Sequence, residues 1–246
     1  MRAFTRRSIR KFPYNFFVKE NFLKYFSSFL FTHVVEASKS DVSGKIEVLY
    51  SNGKYVLDSE HVNYSFGGLH KVFQIVFKRF GIKQREIKNV LILGFGCGSV
   101  ASILQDEYHK NLEMVGVEKD EAVIKLAKKY FSLEQYKNLS LHCEDAYDFA
   151  QRCKRKFDLI VMDVFVDIDI PEKFLDEAFV SAAGDLLADD GILFYNLVIY
   201  NEKIRDKGAH LYKQMNRFIG NTEWSRIFAQ RTENWVFVTD KSKKKE

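Results

Sequence analysis

Four places in this chain carry residues suited to holding a small polar molecule. The first is a glycine run, Gly94, Gly96 and Gly98, inside Leu93-Gly94-Phe95-Gly96-Cys97-Gly98-Ser99. The others are single acids, Glu118, Asp145 and Asp163. Glycines let the backbone come close to a ligand, and a helix that starts just after them offers free N–H groups. A carboxylate one strand further on can accept both hydroxyls of a ribose, so the chemistry implied is nucleoside binding. Asp145 can accept from an adenine amino group, with the Ala146 backbone N–H beside it. Asp is also a favoured helix cap, and the two readings of Asp145 stand level.

These residues need elements that bring them to one place. Val90-Leu91-Ile92-Leu93 is an apolar run too short for a helix and typical of a strand buried on both faces. A helical pattern begins at Ser99, with Val100, Ile103 and Leu104 on one side. A second strand, Leu112 to Val117, ends in Glu118. The third, Leu139 to Cys143, ends in Glu144-Asp145, and the fourth, Phe157 to Met162, ends in Asp163. In an open α/β sheet all such carboxyl ends face one crevice. The spacing Gly-x-Gly-x-Gly differs from the dinucleotide fingerprint G-x-G-x-x-G, because position 99 is Ser. A glycine turn that serves only strand–helix packing is the alternative.

The rest of the chain fits around this core. Lys45 to Tyr50 alternates, Asn52-Gly53 supplies a type I′ turn, and Lys54 to Asp58 returns, which predicts a hairpin. Residues 36–44 read as a polar loop. Leu69, Val72, Phe73, Val76, Phe77 and Phe80 recur at helical spacing, and Gly81 ends that helix. Asp120 can cap a helix over Val123, Ile124, Ala127 and Tyr130. Helices are expected over 146–153, near 174–187 and over 202–219. Asp190-Gly191 is expected to turn into a fifth strand, Ile192 to Leu197. Two late strands, 224–230 and 235–239, flank a turn at Thr232-Glu233-Asn234. The expected fold is α/β: a Rossmann-like, doubly wound, mostly parallel seven-stranded sheet with one reversed strand and a small N-terminal β-hairpin subdomain. The expected division is 1–66 for the helix and small β part, 67–240 for the ligand-binding domain and 241–246 for a disordered basic tail.

Charge narrows the partners. The net charge of +5 is not spread evenly. Residues 1–24 carry seven basic side chains and one acid, and residues 240–246 carry four lysines and two acids. The body between them is therefore net negative, by three, which argues against a nucleic-acid groove built into the fold. Cys97, Cys143 and Cys153 show no C-x-x-C spacing and suit a reducing cytoplasm. No apolar run reaches membrane-span length. The Phe-rich stretch 16–31, interrupted by Lys19, Glu20 and Lys24, reads as an amphipathic helix that packs on the body or on a second subunit of a homodimer. Attachment to a membrane surface is its other reading. The histidines show no metal-ligand spacing, and no metal is expected.

The chain resembles the spermidine synthase-like branch of the class I S-adenosylmethionine-dependent methyltransferase superfamily, from about Lys45 to Thr239. The stretches that carry the resemblance are Tyr55-Val56-Leu57-Asp58, VLILGFGCGS, GVEKDEAVIKLAKKYF, HCEDAYDF, DLIVMDVFVDIDIPEKFLDEAFV, DDGILFYNL and NWVFV. The resemblance implies a small amino-terminal β domain, a Rossmann-like domain, and S-adenosylmethionine or its decarboxylated form as cofactor. It implies that Gly94, Gly96 and Gly98 line the methionine end, Glu118 takes the ribose, Asp145 reads the adenine and Asp163 faces the reacting group. Polyamine synthases carry an acid where this chain has Cys97, a second Asp where it has Val166, and an acid shortly after the tyrosine that matches Tyr64. The missing acids argue against a diamine acceptor, because a buried ammonium needs carboxylates. A transferred group displaced from a sulfonium needs in-line alignment, and an amine acceptor also needs a base. Asp163, Asp167, Asp169, Tyr64 and His70 are the candidates. The expected function is a methyltransferase acting on a small or amine acceptor. The alternatives are aminopropyl transfer and a nucleoside-binding protein without catalysis.

Overall fold

The computed structural model describes residues 21–59, 63–165, 170–229 and 232–243. Helix α1 (Asn21–Ser27) leads into a four-stranded antiparallel sheet of β1 (His33–Ser40), β2 (Gly44–Ser51), β3 (Lys54–Ser59) and β4 (Asn63–Ser65), in that spatial order. Asn52 and Gly53 both take positive φ, 51° and 71°, which is the type I′ geometry that matches strand twist. The expected hairpin is therefore the centre of a larger sheet. Residues 33–40, read in part as a loop, form its first strand. The sequence His33-Val34-Val35-Glu36-Ala37-Ser38-Lys39-Ser40 lacks clean alternation, and a register shift between Val34 and Glu36 explains why. The helix read over 16–31 covers Asn21–Ser27, and residues 16–20 lie outside the described residues.

Helix α2 (Gly68–Arg79) leads from the small sheet to the main one. The main sheet holds β5 (Asn89–Leu93), β6 (Glu113–Glu118), β7 (Leu139–Cys143), β8 (Phe157–Met162), β9 (Leu187–Ile199), β10 (Thr222–Ala229) and β11 (Thr232–Asp240). Their spatial order is β10-β11-β9-β8-β5-β6-β7. Strands β5 to β9 run parallel, and β11 is antiparallel to both its neighbours, so one strand is reversed, as expected. The chain winds outward from β5 to β7 and then returns to β8 on the other side of β5. The switch point lies between β5 and β8, where ligands bind in such sheets.

Alternate residues of the central strands feed two cores. Val90 and Ile92 pack under α2, α3 (Ser99–Ser102) and α4 (Glu121–Tyr130). Leu91 and Leu93 pack against α5 (Ala146–Arg152), α6 (Glu177–Leu186) and α7 (Glu202–Phe218). Two expected turns are strand instead. The register of β9 on β8 jumps from Phe157↔Leu187 to Leu159↔Ile192, so the stretch around Asp190-Gly191 is a bulge inside one long strand. Thr232-Glu233-Asn234 belongs to β11, paired with β10 and β9. At Lys241, the first residue of the expected basic tail, the ammonium donates to the Gly184 carbonyl at 3.0 Å. Residues 244–246 lie outside the described residues.

Candidate active site

The glycine loop follows from where β5 ends. Leu93 pairs with Met162 on β8 and with Val117 on β6, so Gly94 leaves the sheet level with Asp163 and Glu118. Gly94 has φ +80°, and a Cβ there would stand 2.2 Å from the Asp163 carbonyl oxygen. No other residue fits that crossing. The amides of Gly94 and Phe95 both donate to the Val117 carbonyl at 3.0 Å, which locks the loop onto β6. The Phe95 ring fills the notch that Gly116 leaves, since a Cβ there would lie 2.5 Å from it. Gly98, with φ 90°, starts α3, which runs into a π-helical turn at Ile103–Glu107.

Glu118 closes β6. Its Oε2 accepts from the Gly96 amide at 2.8 Å and its Oε1 from the Asp120 amide at 3.0 Å. The carboxylate keeps acceptor capacity for a ligand hydroxyl. Burial raises its pKa, and the backbone donors oppose that rise only in part.

Asp163 closes β8. The side-chain amide of Asn196, one strand over on β9, donates to its Oδ1 at 2.9 Å. Burial pushes Asp163 up to about 7, with the nearby Glu118 charge adding to the rise and Asn196 opposing it. Asn196 is wholly buried, and its own Oδ1 has no hydrogen-bond partner.

Asp145 closes β7 and does two things at once. Its Oδ1 caps α5 by accepting from the Tyr147 amide at 3.0 Å. Its Oδ2 accepts from Lys173 at 2.7 Å and faces Lys119 at 3.2 Å. Burial works against its ionisation, but Lys173, the Tyr147 amide and Lys119 outweigh it, so its pKa falls. The two lysines enter a site that was read from acids and glycines alone. Lys119 follows the strand-end acid, and Lys173 sits past the loop after β8, where no pattern marks it.

Asp120 is the expected cap of α4, accepting from Ala122 at 2.9 Å and Val123 at 3.4 Å. Its other oxygen accepts from Ser40 Oγ at the end of β1. Ser40 in turn accepts from the amides of Val42 and Ser43 at 2.9 and 2.8 Å. The turn between β1 and β2 is thereby pinned over the main sheet.

These pieces surround one cleft of about 930 Å³, counting its open mouth. Gly94, Gly96, Glu118, Asp145, Ala146 and Asp163 all line it. Val42 and Ser43 close it from the small sheet, and Pro171, Lys173 and Phe174 close it from the segment after β8. Gly98 stands behind the lining as the start of α3. His70 does not line the cleft: its Nε2 pairs with Glu107 at 2.8 Å, and its ring stacks on Phe66. Tyr64 contributes its backbone to β4, and Asp167 and Asp169 lie outside the described residues. Among the described residues, no cluster of three or more His, Cys, Asp or Glu side chains is placed to hold a metal.

Residues 70–244 match the profile of the spermine/spermidine synthase domain. The chain is 30% identical over 131 residues to a polyamine aminopropyltransferase of Vibrio vulnificus (strain CMCP6), covering 52% of this chain and 43% of that protein. It is 28% identical over 137 residues to an eEF1A lysine and N-terminal methyltransferase homolog of Drosophila melanogaster, covering 52% of this chain and 20% of that protein. It thus spans less than half the length of either relative. The fold is also that of a probable spermidine synthase from Corynebacterium glutamicum ATCC 13032, with a TM-score of 0.71 and 16% identity over 85% of this chain and 80% of the other. Since the profile covers most of its length, the chain belongs to the spermine/spermidine synthase domain family.

Proposed function

We propose that the protein is an S-adenosylmethionine-dependent methyltransferase acting on a small acceptor with a nucleophilic nitrogen. The observation that carries this reading is Asp163. It stands at the switch point, beside the glycine loop, with a proton affinity near neutrality.

The cleft suits the cofactor. Val117, Ala146, Pro171 and Phe174 give it apolar walls, and Glu118 offers a carboxylate acceptor to a ribose. Gly94 and Gly96 keep the floor free of side chains. Ala146 is the first residue of α5 and lines the cleft, so its amide has no partner within the helix and is available to a purine edge. When bound, S-adenosylmethionine supplies a methyl group activated by its sulfonium. The residues of the chain then hold the nucleoside, exclude water and take a proton. Asp163 is ionised above about pH 7, and Asn196 fixes the orientation of its carboxylate. The acceptor nitrogen gives its proton to Asp163.

The acids decide between methyl and aminopropyl transfer. Of the described residues, Glu118, Asp145 and Asp163 are the acids in the lining. Asp145 is already paired with two lysines, and Asp163 is half protonated near neutrality. Cys97, at a position where polyamine synthases carry an acid, is fully buried. A diamine would find few free carboxylates, while the carboxylate of S-adenosylmethionine would meet little repulsion. The polyamine aminopropyltransferase relatives keep the alternative specific: decarboxylated S-adenosylmethionine as donor. Three cysteines without paired spacing support a cytoplasmic setting.

Calorimetric titration with S-adenosylmethionine and with its decarboxylated form tests the reading. Tighter binding of the carboxylate form is expected. The reverse order assigns aminopropyl transfer, and binding of neither by folded protein removes the transferase reading.

A further inference from the structure

Two buried polar side chains hold one wall of the cleft from behind. Segment 170–174 follows β8, closes in a tight turn at Glu172–Phe174, and puts Pro171, Lys173 and Phe174 into the cleft lining. A donor from the body of the protein fastens each end of it. The Tyr195 hydroxyl donates to the Phe174 carbonyl at 2.9 Å, and the Lys207 ammonium donates to the Ile170 carbonyl at 3.2 Å. Neither donor lines the cleft itself.

Both donors are costly to place. Tyr195 on β9 is 1% exposed, and Lys207 on α7 is 9% exposed. An ammonium at that depth needs an acceptor and a countercharge, and it meets the Ile170 carbonyl and Glu172 Oε1, the latter at 3.0 Å. An apolar side chain of similar volume would fill the space at less cost, so packing does not account for the charge. What the two donors supply is direction. They take the carbonyls at both ends of the segment and so fix which way its side chains face. The Phe174 ring is set edge-on to Phe179 at 4.9 Å, and Lys173 reaches Asp145 at 2.7 Å.

The strand that carries Tyr195 ties this wall to the carboxylate inside the cleft. Tyr195 pairs with Met162, the residue before Asp163. The next residue, Asn196, lies on the opposite face of β9 and donates to Asp163 Oδ1 at 2.9 Å. Adjacent residues of one strand therefore set both the wall and the acid.

We propose that Tyr195 and Lys207 are positioning residues for the nucleoside. They hold segment 170–174 where Pro171 and Phe174 cover the purine and Lys173 meets Asp145. The inference rests on the reading that the cleft binds an adenosine-bearing cofactor, and it is independent of which group that cofactor transfers.

The test is calorimetric titration of the full chain, of Tyr195→Phe and of Lys207→Met. The probes are S-adenosylmethionine and 5′-methylthioadenosine, which has the same purine and ribose but no amino-acid end. Each variant should bind both probes about tenfold more weakly and by the same factor, the scale set by one lost hydrogen bond. Lys207→Arg keeps a charged donor and should recover most of the loss. Unchanged dissociation constants in folded variants overturn the proposal, even where the variants melt at lower temperature, because the two side chains are then structural only. A loss confined to S-adenosylmethionine also overturns it, since the segment would then act on the amino-acid end. Tyr195→Phe removes one oxygen and decides the question if Lys207→Met does not fold. A parent chain that binds neither probe removes the nucleoside reading, and this inference with it; a parent that binds and variants that match it remove this inference alone.

Discussion

Asp163 is held where its charge is costly. An acid whose folded pKa stands near 7, against its ordinary 3.8, stabilises the fold while protonated. That contribution is complete below about pH 4 and is lost as pH rises through 7, falling by roughly 1.4 kcal/mol for each pH unit between the two. Asp163→Asn removes the titrating charge and keeps the shape. Its thermal melt should lie above that of the parent at pH 8 and coincide with it at pH 4. Methyl transfer by the same variant should fall by about two orders of magnitude while S-adenosylmethionine binding holds, the usual cost of losing a general base. A parent chain whose turnover does not rise between pH 6 and 8 would remove Asp163 from that role. Asp145 allows a second separation. Asp145→Ser keeps a helix cap and removes the carboxylate from Lys119 and Lys173. Stability should change by less than about 1 kcal/mol, while cofactor affinity drops roughly tenfold; an unchanged affinity would make Asp145 a cap and nothing more. Glu118 and Asp163 are legible in the sequence because each ends an apolar run, and Asp145 because it stands just past the third strand. Lys119, Lys173 and Asn196 are not, because a lysine on a loop or an amide within a strand has no period or spacing to mark its partner. The place of His70 at a helix start near the glycine domain suits either chemistry or a structural hydrogen bond, and its ring pairs with Glu107.

The elements turn those residues into a site through register. Gly94 and Asp163 meet because β5 and β8 are parallel and end level, and the same alignment brings Glu118 alongside. The sequence made this half of the fold plain, since the central strands β5 and β8 are apolar runs buried on both faces, closed by Gly94 and Asp163. It hid the parts where pattern and pairing diverge. β1 has a register shift that breaks alternation, and β9 carries a bulge that looks like a turn. The most consequential hidden contact is Ser40 with Asp120, which joins two elements eighty positions apart. Ser40→Ala deprives Asp120 of a donor and the amides of Val42 and Ser43 of an acceptor. Leaving such groups unpaired costs about 1–3 kcal/mol, so thermal stability should fall by an amount in that range. Because Val42 and Ser43 line the cleft, cofactor affinity should also weaken about tenfold in calorimetry. A loss of stability with affinity unchanged would show that the turn packs on the main sheet without shaping the ligand's seat.

At the scale of the molecule, the exposed apolar segment and the ligand cleft lie at opposite ends of the small sheet. The body between residues 24 and 240 is net negative, and the basic excess sits at the two termini. Phe22, Phe26, Phe29 and Phe31 are exposed on α1 and the turn after it, at the far end of the small sheet from the cleft. Among the described residues, no helix is long and apolar enough to cross a membrane. The small sheet links the two ends, and β1 pairs with β2 from His33–Tyr50 to Ser40–Gly44 with one irregularity at Val34–Glu36. The eight residues of β1 set the two ends about 23 Å apart. A change at one end shifts binding at the other only through an element with two states. The double variant Phe26→Asp, Leu30→Asp changes exposed side chains at the end away from the cleft. Its dissociation constant for S-adenosylmethionine should therefore stay within about twofold of the parent's, since a coupling free energy below about 0.4 kcal/mol corresponds to that ratio. A larger change in calorimetry would mean that the β1–β2 turn moves with the helix, and the pinning of Ser40 to Asp120 would then be a switch and not a fixed joint.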